Sequence, residues 1–260
     1  MHSMQIIAIQ LDIVWEDPAA NLAKVDAMLG SHEIEPGALV AMPEMFSTGF
    51  TMNVNAATRE HEKTIQALHK LAQEHQCHIV AGVAFPGATG KGQNRAIVID
   101  PAGQIVASYA KLHPFSVGGE TDHYEAGREI VTFRCGPFRI APFVCYDLRF
   151  PEIFRRAVKK GADFFVVIAN WPIARVEHWI TLLKARAIEN QSYVLGVNRT
   201  GRDPNTLYPG RSILVDPMGI VRADAGDSQT LLLASADADQ VRQIRAKLPF
   251  LQDLRDDLAL

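Results

Sequence analysis

Three side chains that could together carry out acyl transfer stand at the ends of short apolar runs. Cys145 closes Ile140-Ala141-Pro142-Phe143-Val144, Glu44 follows Ala38-Leu39-Val40-Ala41-Met42 after Pro43, and Lys111 follows Ile105-Val106-Ala107-Ser108-Tyr109-Ala110. A thiol can attack a carbonyl carbon, a carboxyl group can accept and return a proton, and an ammonium can hold the charge that develops on the carbonyl oxygen. Hydrolysis of an unactivated amide needs all three parts. Singly, each residue has a plainer reading: a lone cysteine is commonly an inert small core residue, and a charge at a strand end is commonly just exposed. Three such groups at three such addresses point to a site.

The chemistry sets a condition on that site. With reference pKa values of about 8.5 for a thiol and 4.3 for a glutamate, moving the Cys145 proton to Glu44 is uphill by roughly 6 kcal/mol. Burial that raises the carboxyl pKa and a neighbouring ammonium that favours thiolate are expected to narrow the gap.

The elements that must position these groups alternate as in an α/β protein. Gln5 to Ile13 reads as a strand, and Asp17-Pro18 supplies the N-cap and first residue of a helix that stops at Gly30. Leu68, Leu71 and Ala72 have helical spacing within Thr58 to Gln76, and Ile79 to Ala84 returns to strand. Cys145 lies between its strand and a helix from Pro151 to Lys160 ended by Gly161; Phe164 to Ala169 reads as a buried strand and Val176 to Asn190 as a long helix. A strand, Asp-Pro-X-Gly, strand pattern occurs twice, at Asp100-Pro101-Ala102-Gly103 and Asp216-Pro217-Met218-Gly219. Asp-Pro-X-Gly is a good turn anywhere, but its recurrence between similar strands suggests a pseudo-twofold pair of sheets. A four-layer α-β-β-α sandwich of two mixed sheets fits, with residues 1–260 as one domain.

These segments resemble the nitrilase superfamily of carbon-nitrogen hydrolases, over nearly the whole chain. Within it, Pro43-Glu44-Met45-Phe46, Cys145-Tyr146-Asp147-Leu148-Arg149-Phe150-Pro151, Asn170-Trp171-Pro172 with Arg175 and His178-Trp179, and Ala187-Ile188-Glu189-Asn190-Gln191 are similar to the omega-amidase branch. The resemblance implies the sandwich fold and a catalytic set of Glu44, Lys111 and Cys145. Glu120, in Gly118-Gly119-Glu120-Thr121, matches a second glutamate that orients the lysine or the substrate. The backbone N–H of Tyr146 is expected to share the oxyanion with Lys111. The implied substrate is a short omega-amide of a dicarboxylic 2-oxo acid, such as 2-oxoglutaramate or 2-oxosuccinamate. Its remote carboxylate suits a guanidinium. Arg175 is the first candidate, and Arg149 is the second unless it pairs with Glu152 or Asp147. Phe46, Phe115, Tyr146 and Trp171, with Asn170 beside them, are candidates for the pocket wall. The resemblance also implies a homodimer, with the tail from about 240 to 260, around Pro249-Phe250-Leu251, at or beside the interface. Other superfamily activities remain open: nitrilase, carbamoyl-amine hydrolase or deaminated-glutathione amidase, as does a non-catalytic binding protein on the same fold.

Composition narrows the remaining classes. The chain has 260 residues, 48% apolar and 21% charged, and a net charge of -3. No basic run offers a nucleic-acid surface, and no apolar stretch approaches the roughly 18 residues that span a membrane. The N-terminal segment lacks the pattern of a secretory signal, and three cysteines without paired spacing suit a reducing compartment, so cytoplasmic residence is expected. His75 and His78 flank one cysteine but have no second ligand cluster, so no metal site is expected, and the proposed chemistry needs no cofactor. Gly87 to Gly92 lacks the spacing of a phosphate loop and its Ser/Thr after the lysine, and reads as an exposed turn.

Overall fold

The computed structural model describes residues 3–255, and its strands fall into two six-stranded sheets and a short ribbon. One sheet is built from β1 (Ser3–Gln10), β2 (Leu39–Ala41), β3 (His78–Pro86), β4 (Gly92–Ile99) and β5 (Ile105–Ala110). The other is built from β6 (Phe133–Cys135), β7 (Phe138–Val144), β8 (Phe164–Ala169) and β9 (Tyr193–Asn198). The ribbon pairs β10 (Thr200–Arg202) with β11 (Leu207–Pro209); β12 (Ile213–Val215) and β13 (Val221–Asp224) then complete the second sheet, and β14 (Thr230–Asp237) completes the first. The orders are β14-β1-β2-β3-β4-β5 and β6-β7-β8-β9-β12-β13.

Read in those orders, both sheets have the same succession of pairings: antiparallel, parallel, parallel, antiparallel, antiparallel. The two Asp-Pro-X-Gly turns occupy equivalent places, joining β4 to β5 and β12 to β13. Their hydrogen bonds match atom for atom. Asp100 Oδ1 accepts from the N–H groups of Ala102 and Gln104 as Asp216 Oδ1 does from Met218 and Ile220, and each aspartate carbonyl accepts from the turn glycine at 2.8 Å. The internal repeat suggested by the turns is therefore present in the sheets themselves.

Strand alternation assigns the layers. Ile6 and Ala8 of β1 join the core shared with the second sheet, whereas Ile7 and Ile9 face helices α1 (Pro18–Gly30) and α3 (His61–Glu74) through Val25, Leu29, Leu68 and Leu71. A short α2 (Val54–Thr58) precedes α3, and α4 (Glu120–His123) follows β5. The second sheet is covered by α5 (Pro151–Lys159) and α6 (Val176–Asn190), with α7 (Ala238–Lys247) packed at the same core. Every residue of β8 and β9 is buried, as expected of central parallel strands covered on both faces. The result is the expected α-β-β-α sandwich.

Local signals placed most ends well. Asp17 Oδ1 caps α1 by accepting the Ala20 N–H at 3.0 Å, and Pro151 opens α5. Two elements differ most. β1 ends at Gln10, and beyond it Asp12 makes only an isolated bridge to Thr200. The helix expected over Thr58 to Gln76 begins at His61, because α2 ends at Thr58 and Arg59 and Glu60 intervene. No described helix is long and apolar enough to cross a membrane.

Candidate active site

Two antiparallel steps from β3 return β5 to the direction of β1, β2 and β3, so Glu44 after β2 and Lys111 after β5 emerge from the same end of the first sheet. Cys145 after β7 and Asn170 after β8 emerge from parallel strands of the second. The two ends meet. The Asn170 N–H donates to Glu44 Oε2 at 2.9 Å and its side-chain amide donates to the Glu44 carbonyl at 2.6 Å, tying one sheet's exit loop to the other's. Backbone geometry sharpens both turns: Met45 and Cys145 have φ of 44° and 48°, a left-handed conformation uncommon for residues with a side chain. Gly82 of β3 permits the first turn, because a Cβ there would lie 2.4 Å from the Glu44 Cα.

The charged centre is closed to solvent. Lys111, 1% exposed, donates to Glu44 Oε1 and Glu120 Oε2 at 2.8 Å each, and both carboxylates are fully buried. Glu120 also accepts the Phe115 N–H at 2.6 Å, which anchors the loop between Lys111 and α4. Burial pushes the Glu44 carboxyl up, but the Lys111 charge and hydrogen bonds from Lys111, Asn170 and Asn94 outweigh it and leave it below the usual range. Glu120 is raised, by burial and by the charge of Glu44, against the pull of Lys111. Burial lowers Lys111, but the two carboxylates overcome that and hold it above an ordinary lysine.

Cys145 is partly buried and faces the same group. Burial first and the Glu44 charge second raise its thiol well above the ordinary value, with Lys111 opposing. The expected narrowing of the thiol-to-carboxyl gap is therefore not a property of the resting site. The reason is physical: Lys111 pairs directly with Glu44, so its charge stabilises the carboxylate more than a thiolate. The resting pair is thiol and carboxylate.

A third buried carboxylate fixes the turn that presents the sulfur. Asp147 accepts from the Tyr109 hydroxyl at 2.7 Å, the His113 N–H at 3.0 Å and the Val144 N–H at 3.1 Å, so β5, the loop after Lys111 and the Cys145 turn share one anchor. Arg186 of α6 donates to the Leu148 carbonyl through Nε and Nη2. Tyr146 lies in the first turn of the short 3-10 helix Cys145–Arg149, where backbone N–H groups lack partners within their own helix.

A cavity of about 400 Å³ opens onto Cys145. Six residues expected to bind substrate line it: Phe115, Tyr146, Arg149, Asn170, Trp171 and Arg175. Phe46 does not. Its side chain is fully buried in the core between the first sheet and α1/α3, and Phe50, four residues on, forms the wall and lies 5.1 Å from the Lys111 ammonium. Trp15, Met52 and the ribbon residues Asp203, Asn205, Thr206 and Tyr208 also line the cavity and escaped the sequence reading. Arg149 stacks on Trp171 at 4.9 Å and lies 3.3 Å from His178 Nδ1, so it does not take the structural pairing with Glu152 or Asp147. Arg175 stacks on Phe115 at 5.6 Å while its carbonyl accepts from Trp171 Nε1. No carboxylate among the described residues forms an ion pair with either guanidinium.

The family model for carbon-nitrogen hydrolase matches residues 6–246. The chain is 37% identical over 255 residues to the omega-amidase YafV of Escherichia coli (strain K12), covering 97% of each chain. It is 34% identical over 255 residues to the 2-oxoglutaramate amidase of Bacillus subtilis (strain 168), covering 97% of this chain and 98% of the relative. The crystal structure of XC1258 from Xanthomonas campestris, a CN-hydrolase superfamily protein, superposes with a TM-score of 0.93 at 32% identity, over 98% of both chains. The buried Lys111 between two carboxylates, the sulfur at the cavity floor and these likenesses agree: the chain belongs to the carbon-nitrogen hydrolase family, within the nitrilase superfamily, and is an amidase of the omega-amidase-like kind.

Proposed function

We propose that this amidase removes the terminal nitrogen of a short dicarboxylic 2-oxo acid monoamide, 2-oxoglutaramate or 2-oxosuccinamate, through a thioester on Cys145. The observation that carries the reading is a largely apolar cavity lined by a thiol and bearing two guanidinium groups without carboxylate partners among the described residues. An anionic substrate supplies the missing partner, and the relatives' names fit such a substrate.

In this reading the sulfur attacks the amide carbon as its proton passes to Glu44, because a free thiolate is unfavourable at rest. The oxygen becomes anionic and is held by Lys111 and the Tyr146 N–H. Glu44 then gives the proton to nitrogen, the C–N bond breaks, and ammonia leaves a thioester. Glu44 next takes a proton from water as its oxygen attacks the thioester carbon. The C–S bond breaks, the proton returns to sulfur, and the acid departs. Glu120 holds Lys111 in register through its 2.8 Å contact.

Arg175 is assigned the remote carboxylate, with Arg149 behind it on Trp171. Arg175→Met should raise KM for 2-oxoglutaramate about ten- to a hundredfold more than for the uncharged butyramide, since a charged hydrogen bond is worth roughly 1.5–3 kcal/mol. Equal effects on both substrates would transfer the role to Arg149. Ammonia release measured across 2-oxo-acid amides, amino-acid amides, nitriles and carbamoyl amines tests the whole reading. A wild-type enzyme without preference for the acidic amide would refute it.

We also propose a homodimer with the C-terminal segment at or beside the contact. Arg245 donates to the Asn190 and Gln191 carbonyls, and Gln191 donates to the Leu248 carbonyl, so the segment is fixed against the end of α6. It leaves Phe250 58% exposed, which favours burial by a second copy. Residues 256–260 of the tail lie outside the described residues. Light scattering should give twice the monomer mass at micromolar concentration; a stable monomer would contradict the proposal.

A further inference from the structure

Asn94 is not among the residues that line the cavity, yet its side chain touches two buried carboxylates behind it. It lies on β4, 1% exposed, and its single side-chain nitrogen donates to Glu44 Oε1 at 2.7 Å and to Glu120 Oε1 at 2.9 Å. Its backbone carbonyl accepts the Lys111 N–H at 2.9 Å. One residue therefore holds the base, the second glutamate and the backbone of the lysine between them. Its side-chain oxygen, also buried, has no protein partner. The amide leaves one buried oxygen without a protein partner while supplying a donor to each of two buried carboxylates, which a leucine of similar size would not.

We infer that Asn94 is a positioning residue that fixes which oxygen of Glu44 takes the proton from Cys145. Oε1 is filled by Lys111 at 2.8 Å and Asn94 at 2.7 Å, which uses both of its acceptor directions. Oε2 has one short donor, the Asn170 N–H at 2.9 Å, and one long contact to the Asn170 amide at 3.4 Å. That oxygen lies on the side of Asn170, whose carbonyl is 4.0 Å from the Cys145 sulfur. The less fully occupied oxygen of the carboxylate is thus Oε2, on the side of Asn170 and its contact with the sulfur. Without the Asn94 amide, Oε1 keeps a vacant acceptor direction and competes with Oε2 for the proton, with Lys111 and the Asn170 N–H the remaining restraints on the carboxylate. Both N–H groups of the amide also demand acceptors, so Asn94 opposes protonation of either glutamate at the oxygen it meets.

This inference rests on Glu44 acting as the base in the proposed reaction, and the experiment separates the two. The titratable groups facing Glu44 are Lys111, Glu120 and Cys145, with the phenols of Tyr124 and Tyr208 beyond them. Asn94→Leu removes a donor that lowers Glu44, so the Glu44 pKa rises and the acid limb of kcat/KM moves to higher pH. Asn94→Leu should lower kcat about a hundredfold, the scale for misplacing a reacting group, with KM changed less than about threefold. Asn94→Ser, which keeps one donor, should recover part of kcat and part of the pH shift. The pH dependence of Cys145 alkylation by iodoacetamide gives the same limb in any variant too slow to assay, and Asn94→Ser serves if Asn94→Leu does not fold. An unmoved acid limb, or a fall in kcat that follows only the folded fraction, overturns the role of Asn94. Glu44→Gln is run alongside: if it stays active, the proposed reaction fails; if it is inactive and Asn94→Leu keeps its limb, only the present inference fails.

Discussion

Cys145→Ala is expected to lower kcat by about 10⁴-fold or more, the scale of removing a covalent nucleophile. The fold should survive. The sulfur faces the cavity, so its loss opens no closed void, and stability should change by no more than about 1 kcal/mol. Cys145→Ser should be nearly as impaired, because a hydroxyl is a still weaker acid than a thiol whose proton is already held above the ordinary value. Mass spectrometry of the unaltered enzyme mixed with substrate should find an acyl group on Cys145. The other two cysteines provide an internal control. Cys77 and Cys135 are fully buried whereas Cys145 is partly exposed and lines the cavity, so alkylation should label Cys145 first. Turnover in the alanine variant, or an acyl group found elsewhere, would remove Cys145 from the mechanism.

What the sequence revealed, and what it hid, follows from the range of each interaction. Strand ends and helix starts are written locally, in runs such as Phe164 to Ala169 and in Asp17-Pro18, so the elements that carry Glu44, Lys111 and Cys145 were legible. The repeated Asp-Pro-X-Gly turns even exposed the relation between the two sheets. Phe46 misled because side chains alternate faces and turns re-aim them: after the left-handed Met45, its ring enters the core and leaves the cavity to Phe50. The ribbon from Thr200 to Pro209 carries no chemical signature, since Asp203 spends its carboxylate on the Tyr208 hydroxyl and on the N–H groups of Asn205 and Thr206. Asn94 was hidden for a related reason. Its partners are 50 and 26 residues away, and nothing near it in the chain shows that two carboxylates converge there. The direction of the Glu44 shift was missed because it depends on which group Lys111 touches most closely, a matter of ångströms that spacing does not encode.

Lys111→Ala should damage both activity and stability, and the two losses should have different pH signatures. Losing an oxyanion donor costs about 2.7–4 kcal/mol in kcat, and the loss here should be larger because Glu44 also loses the charge that orients it. Removing one partner of a buried ion pair typically destabilises by about 3–5 kcal/mol, here by leaving two fully buried carboxylates without a counter-charge. In the unaltered protein the folded Glu44 pKa is below the ordinary carboxylate value of 4.5, so its stabilisation is present above that pH and is lost as pH falls. In the variant, burial acts on Glu44 and Glu120 without the Lys111 charge to oppose it, and both folded values rise. Their contribution is then complete below about 4.5 and is lost as pH climbs through the raised values. The difference in Tm between the two proteins should therefore be smallest near pH 4.5 and widen toward pH 8. A constant difference across that range would mean that the carboxylates do not depend on Lys111 for their charge. Unchanged kcat with only a raised KM would show that Lys111 binds substrate without stabilising the transition state.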